Sequence, residues 1–161
     1  MKAMIDGGAD KLLKFLRYYG IDGIGYNSEF SIGSGLSADG LKTLLSQCFA
    51  KREAAKWPYF TNAWYSLMTS GGTVGGGDAL SSSNQDWFHW NGNPTSDAYF
   101  MNYNWGASGL STSQSTAKSF AGRSSYDVYG GMDFQGRSVA DWIALKNAEI
   151  SVGIWGAHNM N

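Results

Sequence analysis

The run Ile21-Asp22-Gly23-Ile24-Gly25-Tyr26-Asn27-Ser28-Glu29-Phe30 decides how this chain is to be read. Side chains alternate between the two faces of a β-strand. Ile21, Gly23, Gly25, Asn27 and Glu29 therefore share one face, small at first and polar at the end. Ile24, Tyr26 and Phe30 share the other face, which is bulky and apolar. A strand of this kind packs its apolar side on helices and turns its small side to an interior that opens into a cleft. Asn27 and Glu29 then project side by side, about 7 Å apart by strand rise. On spacing alone, Glu29 also reads as an ordinary solvated loop carboxylate.

Outward from this run, helix-period and strand-like segments alternate. Leu12, Leu13, Phe15, Leu16 and Tyr19 recur at helical spacing behind a candidate N-cap, Asp10, with Gly20 as a stop. Leu41, Leu44, Leu45, Cys48 and Phe49 form the clearest helical stripe, after Ser37. Strands are expected over 59–68, 98–105, 128–134 and 151–157. Between them lie a Ser-rich, weakly specified helix or loop at 78–90, a weak helix at 112–121, and a helix at 139–148 capped by Ser138. Such alternation implies βαβ units, a parallel sheet and right-handed crossovers. An open doubly wound sheet and a closed barrel both satisfy it. No G-x-G-x-x-G turn follows the first strand and no phosphate-binding loop of the G-x-x-x-x-G-K-(S/T) type occurs, so a nucleotide-binding open sheet loses support. Eight barrel units take ~250 residues. The expected fold is therefore α/β, a partial (β/α)8 TIM barrel with about five βα units of the eight, and the remaining barrel segments are expected in the parent chain.

Composition narrows the function classes. The 161 residues are 43% hydrophobic and 16% charged, enough apolar surface for a core and too much for a disordered tail. Twelve basic and 13 acidic residues give a net charge of −1, so no footprint for nucleic acid or an acidic membrane exists. No apolar run approaches the ~20 residues of a membrane span, and residues 1–10 lack the apolar core of a signal peptide. One cysteine excludes an internal disulfide framework and a cysteine-based zinc site. His89 and His158 lack metal-ligand spacing, so neither metal nor cofactor is expected. The chain carries 7 Trp and 9 Tyr, rings with a polar tip that suit either a core or the faces and hydroxyls of a sugar. The Trp87-Phe88-His89-Trp90 cluster is open to both readings: a sugar platform or the packed end of a helix.

Several stretches also carry a family resemblance. Tyr18-Tyr19-Gly20-Ile21-Asp22-Gly23, followed by Asn27-Ser28-Glu29, resembles the Y-Y-G-(F/I)-D-G…N-x-E signature of glycoside hydrolase family 85, the endo-β-N-acetylglucosaminidases. Trp64-Tyr65 resembles the start of its W-Y-D motif, and Asn102-Tyr103-Asn104-Trp105 its N-(Y/F)-x-W motif. Ser125-Tyr126-Asp127-Val128-Tyr129-Gly130-Gly131-Met132-Asp133-Phe134-Gln135-Gly136 is similar to its (P/S)-Y-D-(V/L)-(Y/F)-x-G-x-(D/E)-x-Q-G stretch, and residues 150–155 to the next barrel strand. These fall in the family's order and cover nearly the whole chain, as the middle-to-late part of the catalytic barrel. Residues 1–161 thus resemble a fragment of a single glycosidase catalytic barrel domain. The chain departs from the pattern at Ser66, where an Asp is usual, and in a glycine-rich loop at 70–77.

The resemblance implies hydrolysis of the GlcNAc-β1,4-GlcNAc core bond of N-linked glycans, with the substrate's own acetamide as nucleophile and an oxazoline intermediate. It assigns Glu29 as acid/base, Asn27 as the partner of the acetamide N–H and Tyr65 as a hydrogen-bonding group at the acetamide oxygen. Trp64, Asn102, Tyr103, Trp105, Asp133, Gln135 and Trp155 are the implied substrate-binding residues. The implied partner is an N-glycan or glycoprotein substrate. An extracellular or cell-surface bacterial location follows if a signal peptide lies upstream, and a cytoplasmic one otherwise. Two other functions remain open at this point: a two-carboxylate retaining glycosidase with Asp133 as nucleophile to Glu29, and a non-catalytic carbohydrate-binding remnant.

Overall fold

The computed structural model describes residues 2–33, 35–57, 60–136 and 141–159. Along them run α1 (Lys2–Tyr18), β1 (Gly23–Asn27), α2 (Ala38–Ala54), β2 (Thr61–Tyr65), β3 (His89–Trp90), β4 (Asn93–Pro94), β5 (Ala98–Phe100), α3 (Ala107–Lys118), β6 (Val128–Asp133), α4 (Trp142–Asn147) and β7 (Ser151–Trp155). The main sheet has the order β1-β2-β5-β6-β7, and every neighbouring pair in it is parallel. Strand order follows chain order without a reversal. A doubly wound sheet must reverse at its switch point, so this is the singly wound arc of a partial (β/α)8 barrel. β3 and β4 form a separate antiparallel pair inside the β2–β5 connection.

The sheet's two faces differ sharply. One is sealed by helices: Tyr26, Trp64, Tyr99, Val128 and Met132 bury against Leu16 of α1, Leu41, Leu45 and Cys48 of α2, Leu110 of α3 and Leu145 of α4. The other carries Gly25, Asn27, Ala63, Tyr65, Phe100, Gly131, Gly153 and Trp155, the side chains that would line a barrel interior. Gly153 is required there, because a Cβ would lie 2.0 Å from the Phe100 ring. A ring from a central strand can therefore lie flat across its neighbours.

Local chemistry explains the elements. Ser37 caps α2 by accepting from the Gly40 amide at 3.2 Å, with Asp39 in the first turn and Lys51 and Arg52 in the last, each complementing the helix dipole. Helix α3 starts at Ala107, after its N-cap Gly106 and five residues before the weak helix expected at 112–121. Helix α1 starts at Lys2 and is interrupted by Gly8 at φ 73°, so the expected cap at Asp10 lies inside the helix. The segment at 78–90 holds a short 3-10 turn, Gln85–Trp87, and no α-helix. The expected cap Ser138 lies outside the described residues; Asp141 caps α4 by accepting from the Ala144 amide at 2.9 Å.

The strands are shorter than their sequence patterns. The expected strand at 98–105 stops at Phe100. Beyond it the Asn102 amide donates to Gly77 of the glycine-rich loop at 2.7 Å, which draws the chain out of the ladder. The Trp87-Phe88 cluster resolves as core: both rings are fully buried, with Trp87 stacked on Trp64 at 4.3 Å and 6°. His89 is buried too, stacked on Phe120 at 4.7 Å.

Candidate active site

The β1–β2 register sets Asn27 opposite Tyr65. Ladder pairing ends at Asn27, yet the alternation of faces continues two residues further. Tyr26 and Ser28 are buried, whereas Gly25, Asn27 and Glu29 are exposed on the open face. Ser28 sustains this extension. Its hydroxyl donates to the Tyr65 carbonyl and accepts from the Leu67 amide at 3.2 Å, stitching the chain after β1 to the end of β2. An amide, an acid and a phenol thus converge where the C-terminal ends of β1 and β2 meet, the end of a barrel that carries chemistry.

Tyr65, Phe100 and Tyr103 form an aromatic wall beside them. Tyr65 lies 5.9 Å from Phe100 and 6.0 Å from Tyr103 between ring centroids, and Phe100 meets Tyr103 edge-on at 6.1 Å. Burial, with Tyr103 and the carboxylates of Glu29 and Asp78 nearby, raises the Tyr65 phenol well above its ordinary value. Burial and the charges of Asp133 and Glu29 raise Tyr103 as well. Both phenols stay protonated at neutral pH and can donate. Asp133 is 7% exposed, and its Oδ1 accepts from the Gln135 amide at 2.9 Å. Gln135 is exposed at the turn after β6, where it lies against Gly156, and Trp155, opposite Asp133 in the β6–β7 register, is 55% exposed.

Two expected sugar-binding rings are elsewhere. Trp64 is 1% exposed on the helix-covered face, and Trp105 is 3% exposed with its indole N–H donating to the Gly131 carbonyl at 2.8 Å. Sealed rings present no face to a ligand, so the substrate-binding role expected of Trp64 and Trp105 is corrected to core packing. Trp64 follows from parity, since it precedes Tyr65. Trp105 parts from Tyr103 because the strand has already ended. Asn102 is half-buried, and its Oδ1 accepts from the Tyr65 hydroxyl at 3.0 Å. Ser66 is buried with its hydroxyl donating to Gly77 at 3.0 Å. A residue at that position faces away from the cleft, so the serine there removes no carboxylate from the cleft lining.

Sequence reasoning passed over Asp78 and Ser28. The glycines before Asp78 signalled a loop that approaches the strand ends closely. Nothing in the local pattern distinguished the Ser28 hydroxyl from a surface one. At the opposite pole, a recess of about 490 Å³ is lined by Arg52, Asp97, Arg123 and Asp127 among others. Its arginines are already paired, Arg52 with Asp97 at 2.8 Å and Arg123 with Asp127 at 2.9 Å. Paired charges at the N-terminal pole of a barrel read as scaffold.

The family model described as Glycosyl hydrolase family 85 matches residues 3–160. No curated protein matches the sequence. Among solved structures, the chain is similar to the glycoside hydrolase domain Spr0440, Endo-D, from Streptococcus pneumoniae R6, with 26% sequence identity and a TM-score of 0.77. That likeness covers 96% of this chain and 26% of the solved one, so the chain spans about a quarter of the structure it matches.

Proposed function

The chain belongs to glycosyl hydrolase family 85, and from that premise we propose that it is part of the single catalytic barrel domain of an endo-β-N-acetylglucosaminidase acting on N-linked glycans. One observation carries the reading: Asn27 and Glu29 stand on the exposed cleft face at the end of β1, with Tyr65 in register beside them. Glu29 protonates the glycosidic oxygen as the C1–O bond breaks. The acetamide carbonyl oxygen of the same sugar attacks C1 and closes an oxazolinium ring that keeps its N–H. Asn27 accepts the acetamide N–H through its side-chain carbonyl, which aims the acetamide oxygen at C1 and disperses the positive charge that develops. An amide does this without adding a second negative charge. In the second step Glu29 takes a proton from water as its oxygen attacks C1, and the C1–oxygen bond of the ring opens to restore the acetamide. Two displacements at C1 return the original anomer.

In this reading the Tyr65 phenol hydrogen-bonds the acetamide oxygen, and Tyr103, Asp133, Gln135 and Trp155 border the same open face. The test is release of glycan from a high-mannose glycopeptide by the protein with its complete barrel. Glu29→Gln should lower turnover by roughly 10²- to 10⁴-fold, and undiminished release would end this assignment. A substrate lacking the 2-acetamido group should be inert. Hydrolysis of it would favour the two-carboxylate mechanism with Asp133 as nucleophile, and binding without turnover would favour a carbohydrate-binding role.

A further inference from the structure

We propose that Asn102 is the positioning residue for the Tyr65 hydroxyl, anchored by the Gly77 carbonyl, and that it acts through Tyr65 and not by binding sugar itself. The inference rests on the reading above and deepens it. Two donors meet at one carbonyl. The Gly77 oxygen accepts the Asn102 amide at 2.7 Å and the Ser66 hydroxyl at 3.0 Å, while the Ser66 amide donates to Phe100 at 2.9 Å. Gly77 sits at φ 121°, and a Cβ there would lie 2.5 Å from the Ser66 oxygen. Only glycine lets the loop press this closely against the strand end. The end of β2, the glycine-rich loop and the segment after β5 are thereby bolted together, with the Asn102 side chain directed at the Tyr65 hydroxyl.

The chemistry of an amide makes this more than a brace. A phenol has one proton and an oxygen that also accepts; an amide offers an acceptor on one side and donors on the other. Asn102 Oδ1 accepts the hydrogen bond of the Tyr65 hydroxyl. A half-turn of the amide presents Nδ2–H to the phenol oxygen instead, and the phenol proton turns to the acetamide oxygen of the sugar. Burial keeps that proton on Tyr65, so there is always one to direct. A carboxylate at position 102 only accepts. It would keep the phenol proton for itself.

Asn102→Asp therefore separates positioning from structure, since it preserves size, the backbone bond to Gly77 and the bond from Tyr65. In the full-length protein acting on a high-mannose glycopeptide, Asn102→Asp and Asn102→Ala should each lower kcat about 10-fold or more, the scale of a misaligned catalytic group, with KM little changed. In a Tyr65→Phe background neither should cost anything further, because residues acting through one another are not additive. Full turnover by Asn102→Asp, losses that add to Tyr65→Phe, or a rise in KM at constant kcat would each overturn the proposal. If Asn102→Ala fails to fold, Asn102→Asp decides it. Full turnover by Glu29→Gln would instead overturn the glycosidase reading, whereas an impaired Glu29→Gln beside a fully active Asn102→Asp overturns this inference alone.

Discussion

The two faces of the sheet use the same residue types for opposite ends. On the helix-covered face, Tyr26, Trp64 and Tyr99 are sealed, and the Tyr26 hydroxyl and the Trp64 indole N–H find no hydrogen-bond partner among the described residues. On the open face, one residue away along the same strands, Asn27, Tyr65 and Phe100 are exposed or half-buried, and Tyr65 has a partner in Asn102. Polarity is tolerated in the core as a by-product of large rings that fill space. In the cleft it is directed at neighbours. What separates the two is strand parity, a single residue's step.

Substitutions on each face should therefore split cleanly between turnover and stability. The largest effect is expected at the cleft: Glu29→Gln should lower kcat by roughly 10²- to 10⁴-fold, the worth of general acid–base catalysis, with an unchanged melting temperature. A comparable loss of melting temperature would mean that Glu29 belongs to the scaffold. On the sealed face, Trp64→Ala removes the ring stacked on Trp87 and should destabilise by about 3–5 kcal/mol, read by denaturant unfolding, while turnover per folded molecule persists. A Trp64→Ala protein of normal stability and lost activity would reverse the assignment of faces.

Lys42 offers an intermediate case. It is buried under the β2–β5 connection and bonds Asp39 at 2.9 Å, Asp86 at 3.1 Å and the Ser70 carbonyl at 3.1 Å. Lys42→Met strands a carbonyl and a half-screened carboxylate, costing about 1–3 kcal/mol, and should loosen the glycine-rich loop that carries Gly77. Hydrogen exchange of the 69–77 amides measures this, and unchanged protection would break the link between Lys42 and the loop.

A smaller effect is expected at Trp155, whose ring is more than half exposed on the open face. Trp155→Ala should raise KM several-fold and alter stability by no more than ~0.5 kcal/mol, checked by steady-state kinetics beside a melt. His89 gives the smallest effect. Burial, then the Arg123 charge, holds its folded-state pKa below 6.5. Below pH 6.5 the unfolded chain gains a proton that the fold refuses, so stability declines as pH falls from there toward the folded value. His89→Leu should flatten that part of a melting-temperature profile against pH, and an unchanged slope would assign it to other groups.

Alternation was legible in residues 21–30 because nothing interrupts it: Ser28 carries the extended chain past the last ladder pair. The same counting failed at 98–105. The Asn102 amide is claimed by Gly77, a residue 25 positions earlier in the chain, and the strand ends where that distant carbonyl reaches it. Tyr103 stays at the cleft and Trp105 turns into the core, although their spacing put them together. Helix α2 was readable from its stripe and its Ser37 cap, both local. The start of α1 was not, because Asp10 has the residue type of a cap but lies in a helix that resumes after Gly8.

By itself the amino-acid order determined the alternation of helix and strand, the parallel sheet this demands, and the placement of Asn27 and Glu29 on one side of a strand. Those follow from interactions a few residues in reach. Tertiary structure alone decided that Trp105 is packing and not platform, that Trp87 stacks on Trp64, and that Asn102 meets Tyr65. Each depends on a hydrogen bond or a ring stack between segments far apart in the chain. Periodicity has no access to such contacts, because it records only which face a residue takes and not what waits on the other side.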